Sequence, residues 1–140
     1  GQYIAGMGFS NVGLGLVHGM AHPLSAWYDI PHGVACAALL PMVMRFNKEH
    51  TGEKYRAIAK ALGLPEVEEL SLAAVRDAAC AAIDQLSKDV GIPRTISELG
   101  VQAKDIPQIA EDAFNDVCTP GNPREASVEE IIEIYQSLIE

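Results

Sequence analysis

Gly13-Leu14-Gly15-Leu16-Val17-His18-Gly19-Met20-Ala21-His22-Pro23, followed by Asp29-Ile30-Pro31-His32-Gly33, is the most informative stretch of the chain. It places three of the four histidines within fifteen residues, among small apolar side chains that have little other use for imidazoles. If 13–22 is helical, His18 and His22 lie one turn apart on a single face. Two imidazoles so placed can converge on one metal ion or one substrate atom.

Working outward, residues 1–22 are expected to form a buried helix, interrupted around Gly6-Met7-Gly8 or at Gly13 and Gly15, because glycine weakens a helix interior. Pro23 to Pro31, carrying Trp27 and Tyr28, is expected to be a loop. Asp29 is placed to cap the next helix, with Pro31 in its first turn and an Ala-rich body from Val34 to Phe46. Tyr55, Ile58, Ala59 and Leu62 define one helical face over 53–62, which Gly63 and Pro65 end. Ser71 opens a longer helix with Leu72, Val75, Ala79, Ala82, Ile83 and Leu86 inward, closed by Gly91 and Pro93. Thr95–Glu98, Asp105–Gln108 and Ser127–Glu130 each carry the capping-box pattern that announces a helix. Cys118-Thr119-Pro120-Gly121-Asn122-Pro123-Arg124 is the one long loop rich in turn residues. No segment alternates with period two, so strands are not expected. The expectation is a single all-α domain of about seven helices spanning 1–140.

The 140 residues can bury a real core. Hydrophobic residues make up 49% of the chain but aromatics only 6%, so Ala, Leu, Ile and Val must build that core, a composition suited to closely packed helices. A net charge of −9, with ten Lys and Arg, argues against nucleic acid and against an anionic membrane surface as partners. Cys36, Cys80 and Cys118 are scattered and odd in number, which points to neither a disulfide framework nor a zinc ribbon and fits a reducing cytoplasm. Neither a signal peptide nor a membrane-spanning run is expected. The chain begins at Gly1 inside an apolar stretch without a start methionine or an N-cap, and is expected to be a piece of something longer.

For the three clustered histidines two roles compete, metal ligation and ordinary hydrogen-bonded packing. Neutral imidazole suits Zn or Fe, and ligands from two successive helices would fix the ion rigidly. Cys36, one turn after His32, offers a further donor, although a small Cys in an Ala-rich helix is commonly just packing. Asp29 is the only acid between His18 and His32, so the remaining ligands of such a site would lie outside this chain. His50 sits in a polar helix end and is expected at the surface. The 118–124 loop is either a binding lip or a plain turn with Arg124 near the next helix start. Glu129, Glu130 and Glu133 are expected to face solvent at a helix N-terminus, where carboxylates complement the dipole.

The string GMGFSNVGLGLVHGMAHPLSAWYDIPHGVACAALLPMVMRFN closely resembles the iron-dependent (group III) alcohol dehydrogenases. The likeness continues through AIAKALG, DQLSKDVGIPRTISELGV and CTPGNPR, and so spans essentially the whole chain. It implies the all-helical C-terminal domain of the dehydroquinate-synthase-like fold, with an N-terminal NAD(P)-binding domain absent from this chain and a divalent metal between the two. By resemblance His18 and His32 are two of four metal ligands, the other two being an Asp and a His upstream of Gly1. His22 matches the residue that faces the nicotinamide and the substrate, and Phe9 and Cys118 match positions lining the alcohol pocket. The implied cofactors are Fe2+, with Zn2+ as the alternative, and NAD or NADP. The implied reaction is oxidation of small alcohols or diols and reduction of the aldehydes, by a cytoplasmic homo-oligomer. The fragment alone, lacking the nucleotide domain, is expected to be inactive. A non-catalytic helical metal-binding or assembly module is the competing possibility.

Overall fold

Seven α-helices, linked by turns and short 3-10 segments, make up the computed structural model, which describes residues 1–139 and contains no strand among them. They are α1 (Gln2–Val12), α2 (Leu16–Tyr28), α3 (His32–Asn47), α4 (Lys54–Ala61), α5 (Leu72–Asp89), α6 (Ile106–Phe114) and α7 (Val128–Gln136). The main core gathers Leu16, Met20 and Leu24 of α2, Ala35, Leu39 and Val43 of α3, Ile109 and Ala113 of α6, and Ile131 and Tyr135 of α7. A second, smaller core unites Met44 at the end of α3 with Tyr55 and Ala59 of α4 and Val75, Ala79 and Cys80 of α5. Helix α3 therefore serves both cores, and α2 is sandwiched between α3 and α6.

Several elements form for the reasons their sequences suggest. The Ser71 hydroxyl accepts from the Ala74 backbone N–H and starts α5. At α7 the reciprocal box is complete: Ser127 accepts from the Glu130 N–H while the Glu130 carboxylate accepts from the Ser127 N–H. His50 is exposed, as expected.

The 1–22 stretch is interrupted at Gly13, one of the expected positions, where a φ of 83° suits glycine, and so forms two helices. Other expectations are overturned. Helix α1 is not buried at all: Tyr3, Ile4, Met7, Phe9 and Val12 stand open. Pro23 does not begin a loop, because α2 runs through it to Tyr28. Proline removes one backbone donor, yet its ring is buried with Leu24. The last turn is tied to α6, Trp27 Nε1 donating to Asp112 at 3.0 Å and the Tyr28 hydroxyl to Asp105 at 2.6 Å. Packing along α2 thus outweighs the local breaker. Asp29 does not cap α3; it closes α2 in the left-handed conformation (φ 54°), and Pro31 stands at the α3 N-cap. Asp105 likewise forms no side-chain cap on α6, its carboxylate being engaged by Tyr28. The Thr95–Glu98 box forms, but around a single 3-10 turn, Ser97–Leu99. In α5, Leu86 is exposed and Arg76 is buried instead, its guanidinium bonded to Glu49 and the Gly52 carbonyl.

The 118–124 loop is a structural clamp rather than a free lip. The Asn122 and Asn47 carboxamides exchange hydrogen bonds of 2.8 and 2.7 Å, while Asn122 Oδ1 also receives the Leu16 N–H and so caps the start of α2. Arg124 stacks its guanidinium 3.8 Å from the centre of the Phe46 ring. The backbones approach so closely that a Cβ on Gly121 would lie 2.1 Å from the Leu14 carbonyl oxygen. Gly121→Ala is therefore expected to cost about 1–3 kcal/mol in denaturant unfolding, whereas Gly33→Ala, where a Cβ meets nothing within 4 Å, is expected to be neutral or stabilising.

Candidate metal centre

Helix α2 supplies His18 and, one turn on, His22; the packing of α3 against it brings in His32, the first residue of α3. The ring centres are 5.3 Å apart for His18 and His32, 5.4 Å for His22 and His32, and 6.2 Å for His18 and His22. All three imidazoles singled out in the sequence form one cluster. His18 is partly buried and His32 exposed, so the cluster opens to the surface. Burial, together with the neighbouring His32 and His22 rings, lowers the His18 pKa against the pull of Asp116. His18 is thereby favoured in the neutral form, whose nitrogen lone pair can bind a metal.

Potential ligand atoms fall in two groups, His18 with His32 and Cys36, and His22 with Asp116 and Cys118, each within 4.8 Å of one another. Cys36 Sγ lies 3.5 Å from His32 Nε2, and burial pushes its thiol pKa up. It is thus a weak thiolate donor, which leaves the two imidazoles as the better potential donors of the first group. This donor set fits Fe2+ or Zn2+, both of which accept neutral imidazole. An apolar groove of about 480 Å³, lined by Leu16, Val17, Leu40 and Val43, runs up to His18 and Cys36. A larger cavity, about 650 Å³, lies among Pro41, Arg45, Asp84 and Arg94 and contains no histidine.

The acid that reaches the cluster is Asp116, just beyond α6, and not Asp29. Its Oδ2 is 2.8 Å from His22 Nδ1, and its Oδ1 accepts the Cys118 backbone N–H at 2.8 Å. Burial raises the Asp116 pKa, but these bonds outweigh it and hold the carboxyl below its ordinary value. Burial and Asp116 together push the Cys118 thiol up. Of the two expected pocket residues, Cys118 adjoins His22 and Asp116, whereas Phe9 is 40% exposed on α1. Asp116 escaped notice in the sequence because it is 94 residues from His22 and belongs to no motif.

This cluster sits in a fold with known counterparts. The family model for the C-terminal part of Fe-containing alcohol dehydrogenases matches residues 1–139. The chain belongs to the iron-containing alcohol dehydrogenase family. Lactaldehyde reductase from Escherichia coli (strain K12) is 60% identical over 98% of this chain and 36% of its own length. The 1,3-propanediol dehydrogenase of Klebsiella pneumoniae is 44% identical over 95% of this chain and 34% of its own. The solved structure of an alcohol dehydrogenase from Oenococcus oeni superposes with a TM-score of 0.90 at 40% identity, covering 96% of this chain and 35% of that one. The chain thus spans about a third of the length of these members and corresponds to the family's C-terminal helical domain. Among the described residues no helix is long and apolar enough to cross a membrane.

The lowered His18 pKa has a definite sign for stability in the metal-free chain. Below the ordinary imidazole value of 6.5 the unfolded chain takes up a proton that folded His18 resists. Stability therefore falls as the pH drops through that value. Urea midpoints measured between about pH 8 and pH 5 are expected to fall less steeply in His18→Gln than in the parent.

Proposed function

We propose that this helical domain contributes half of the metal-binding set, and the proton-handling side chain, of an enzyme that interconverts small alcohols or diols and their aldehydes using NAD(P). The observation that carries the proposal is the meeting of His18 and His32 at 5.3 Å, with His22 beside them. The names of its relatives, lactaldehyde reductase and 1,3-propanediol dehydrogenase, support the substrate class. His18 and His32 are the ligands this chain offers to Fe2+, or alternatively Zn2+. The remaining two ligands and the nucleotide site are assigned to an N-terminal domain outside these residues. When bound, the metal supplies Lewis-acid stabilisation of the substrate oxygen and the nicotinamide carries the hydride.

This chain's own part is to orient the substrate and move a proton. His22, whose side chain is 39% exposed, can exchange protons with solvent; it accepts the hydroxyl proton in alcohol oxidation and returns it in aldehyde reduction. Cys118 remains a protonated thiol and gives the pocket a neutral wall beside His22, while Phe9 supplies an aromatic one from α1. The protein is assigned to the cytoplasm as a homo-oligomer.

In the full-length protein, His18→Ala and His32→Ala are expected to lose bound metal together with activity on a panel of short aldehydes. His22→Ala is expected to keep its metal and lose about 10²–10⁴ in kcat. Metal analysis beside steady-state kinetics separates the two. Titration of the isolated 140-residue chain with NADH in a calorimeter is expected to show no saturable binding; micromolar affinity would place the nucleotide site within these helices and overturn the division of labour.

A further inference from the structure

We propose that Asp116 is a positioning residue that holds neutral His22 in the Nδ1–H tautomer, leaving Nε2 as the nitrogen able to take up a proton. The inference rests on the role given to His22 above, but concerns a residue that no motif marks. Three observations carry it. Asp116 Oδ2 lies 2.8 Å from His22 Nδ1. The other carboxylate oxygen, Oδ1, accepts the Cys118 backbone N–H at 2.8 Å, so the carboxylate cannot swing away without giving up that bond. The Asp116 side chain is only 16% exposed, which limits competition from water.

A carboxylate can only accept, so the short contact requires the proton on Nδ1. In the neutral ring the lone pair then belongs to Nε2. A hydrogen bond from one ring nitrogen to a carboxylate also fixes the plane of the imidazole, as it does for histidines that must present the other nitrogen to a reacting atom. His22 is held among two further imidazoles, with ring centres 5.4 and 6.2 Å away, where a freely turning ring would present either nitrogen. The position of Asp116 follows from the fold: α6 packs on α2, and the next turn carries Asp116 back toward His22.

The geometry makes an unusual demand on Asp116→Asn. The Cys118 N–H needs an oxygen opposite it, so the carboxamide must place its carbonyl there and turn its NH2 toward His22. The NH2 group donates to Nδ1, and the ring must shift its own proton to Nε2. The near-isosteric replacement therefore reverses the tautomer, whereas Asp116→Ala merely releases it.

The test is 15N NMR of the histidine side chains in metal-free full-length protein at about pH 9, where imidazole is neutral, with His22 assigned by substitution. Expected is a pyrrole-type Nδ1 and a pyridine-type Nε2 in the parent, the reverse in Asp116→Asn, and averaged shifts in Asp116→Ala. An Nε2–H tautomer in the parent, which requires no variant to fold, overturns the proposal, as does an unchanged tautomer in folded Asp116→Asn. Kinetics of the metal-loaded full-length Asp116→Asn protein then test the reading beneath it: kcat is expected to fall about 100-fold or more, with metal content unchanged and KM within about threefold. A reversed tautomer with unchanged turnover would leave Asp116 as the positioning residue and remove His22 from proton transfer.

Discussion

Thr119 fills the space that a side chain would occupy at Gly19, and its hydroxyl donates to the Ala113 carbonyl at 2.6 Å. With Gly121 set against the Leu14 carbonyl and Asn122 bridging the start of α2 to the end of α3, this close approach is the constraint on which the rest of the domain depends. It buries polar groups only because each has a partner, as low-dielectric packing requires. It also seats Asp116, three residues before Thr119, within reach of His22. The clamp that stabilises the bundle is therefore the same element that sets the geometry of the imidazole cluster.

Electrostatics around that cluster favour the neutral form of His18. Burial is the larger cause, and the His32 and His22 rings, with centres 5.3 and 6.2 Å away, add to it. One carboxylate, Asp116 on the His22 side, opposes that shift, while among the described residues neither His18 nor His32 is hydrogen-bonded to an acid. His22 is thus set apart from His18 and His32 by where a single acid sits. Burial of Cys36 and Cys118 as thiols keeps further negative charge out of the cluster.

Much of the architecture was legible in the chain because its signals are local. The caps at Ser71 and Ser127 act on amides three residues away, and the apolar faces of α4, α6 and α7 repeat at helical spacing. The same local rules failed where long-range contacts outweighed them. Pro23 stays inside α2 because Trp27 and Tyr28 are tied to Asp112 and Asp105 on the far side of the chain. Asp105 gives up its capping role to the same tie, and the large apolar residues of α1 stay exposed.

The sequence by itself determined the helical class and the i,i+4 placement of His18 and His22, since composition and periodicity are properties of contiguous residues, and its motifs carried the resemblance to the family. Tertiary structure alone decided which acid serves the histidines. Asp29, the nearest in sequence, closes α2 in an exposed turn, and Asp116, 94 residues from His22, occupies the position. Sequence spacing measures distance along the backbone, whereas a hydrogen bond of 2.8 Å depends on how α6 folds back over α2.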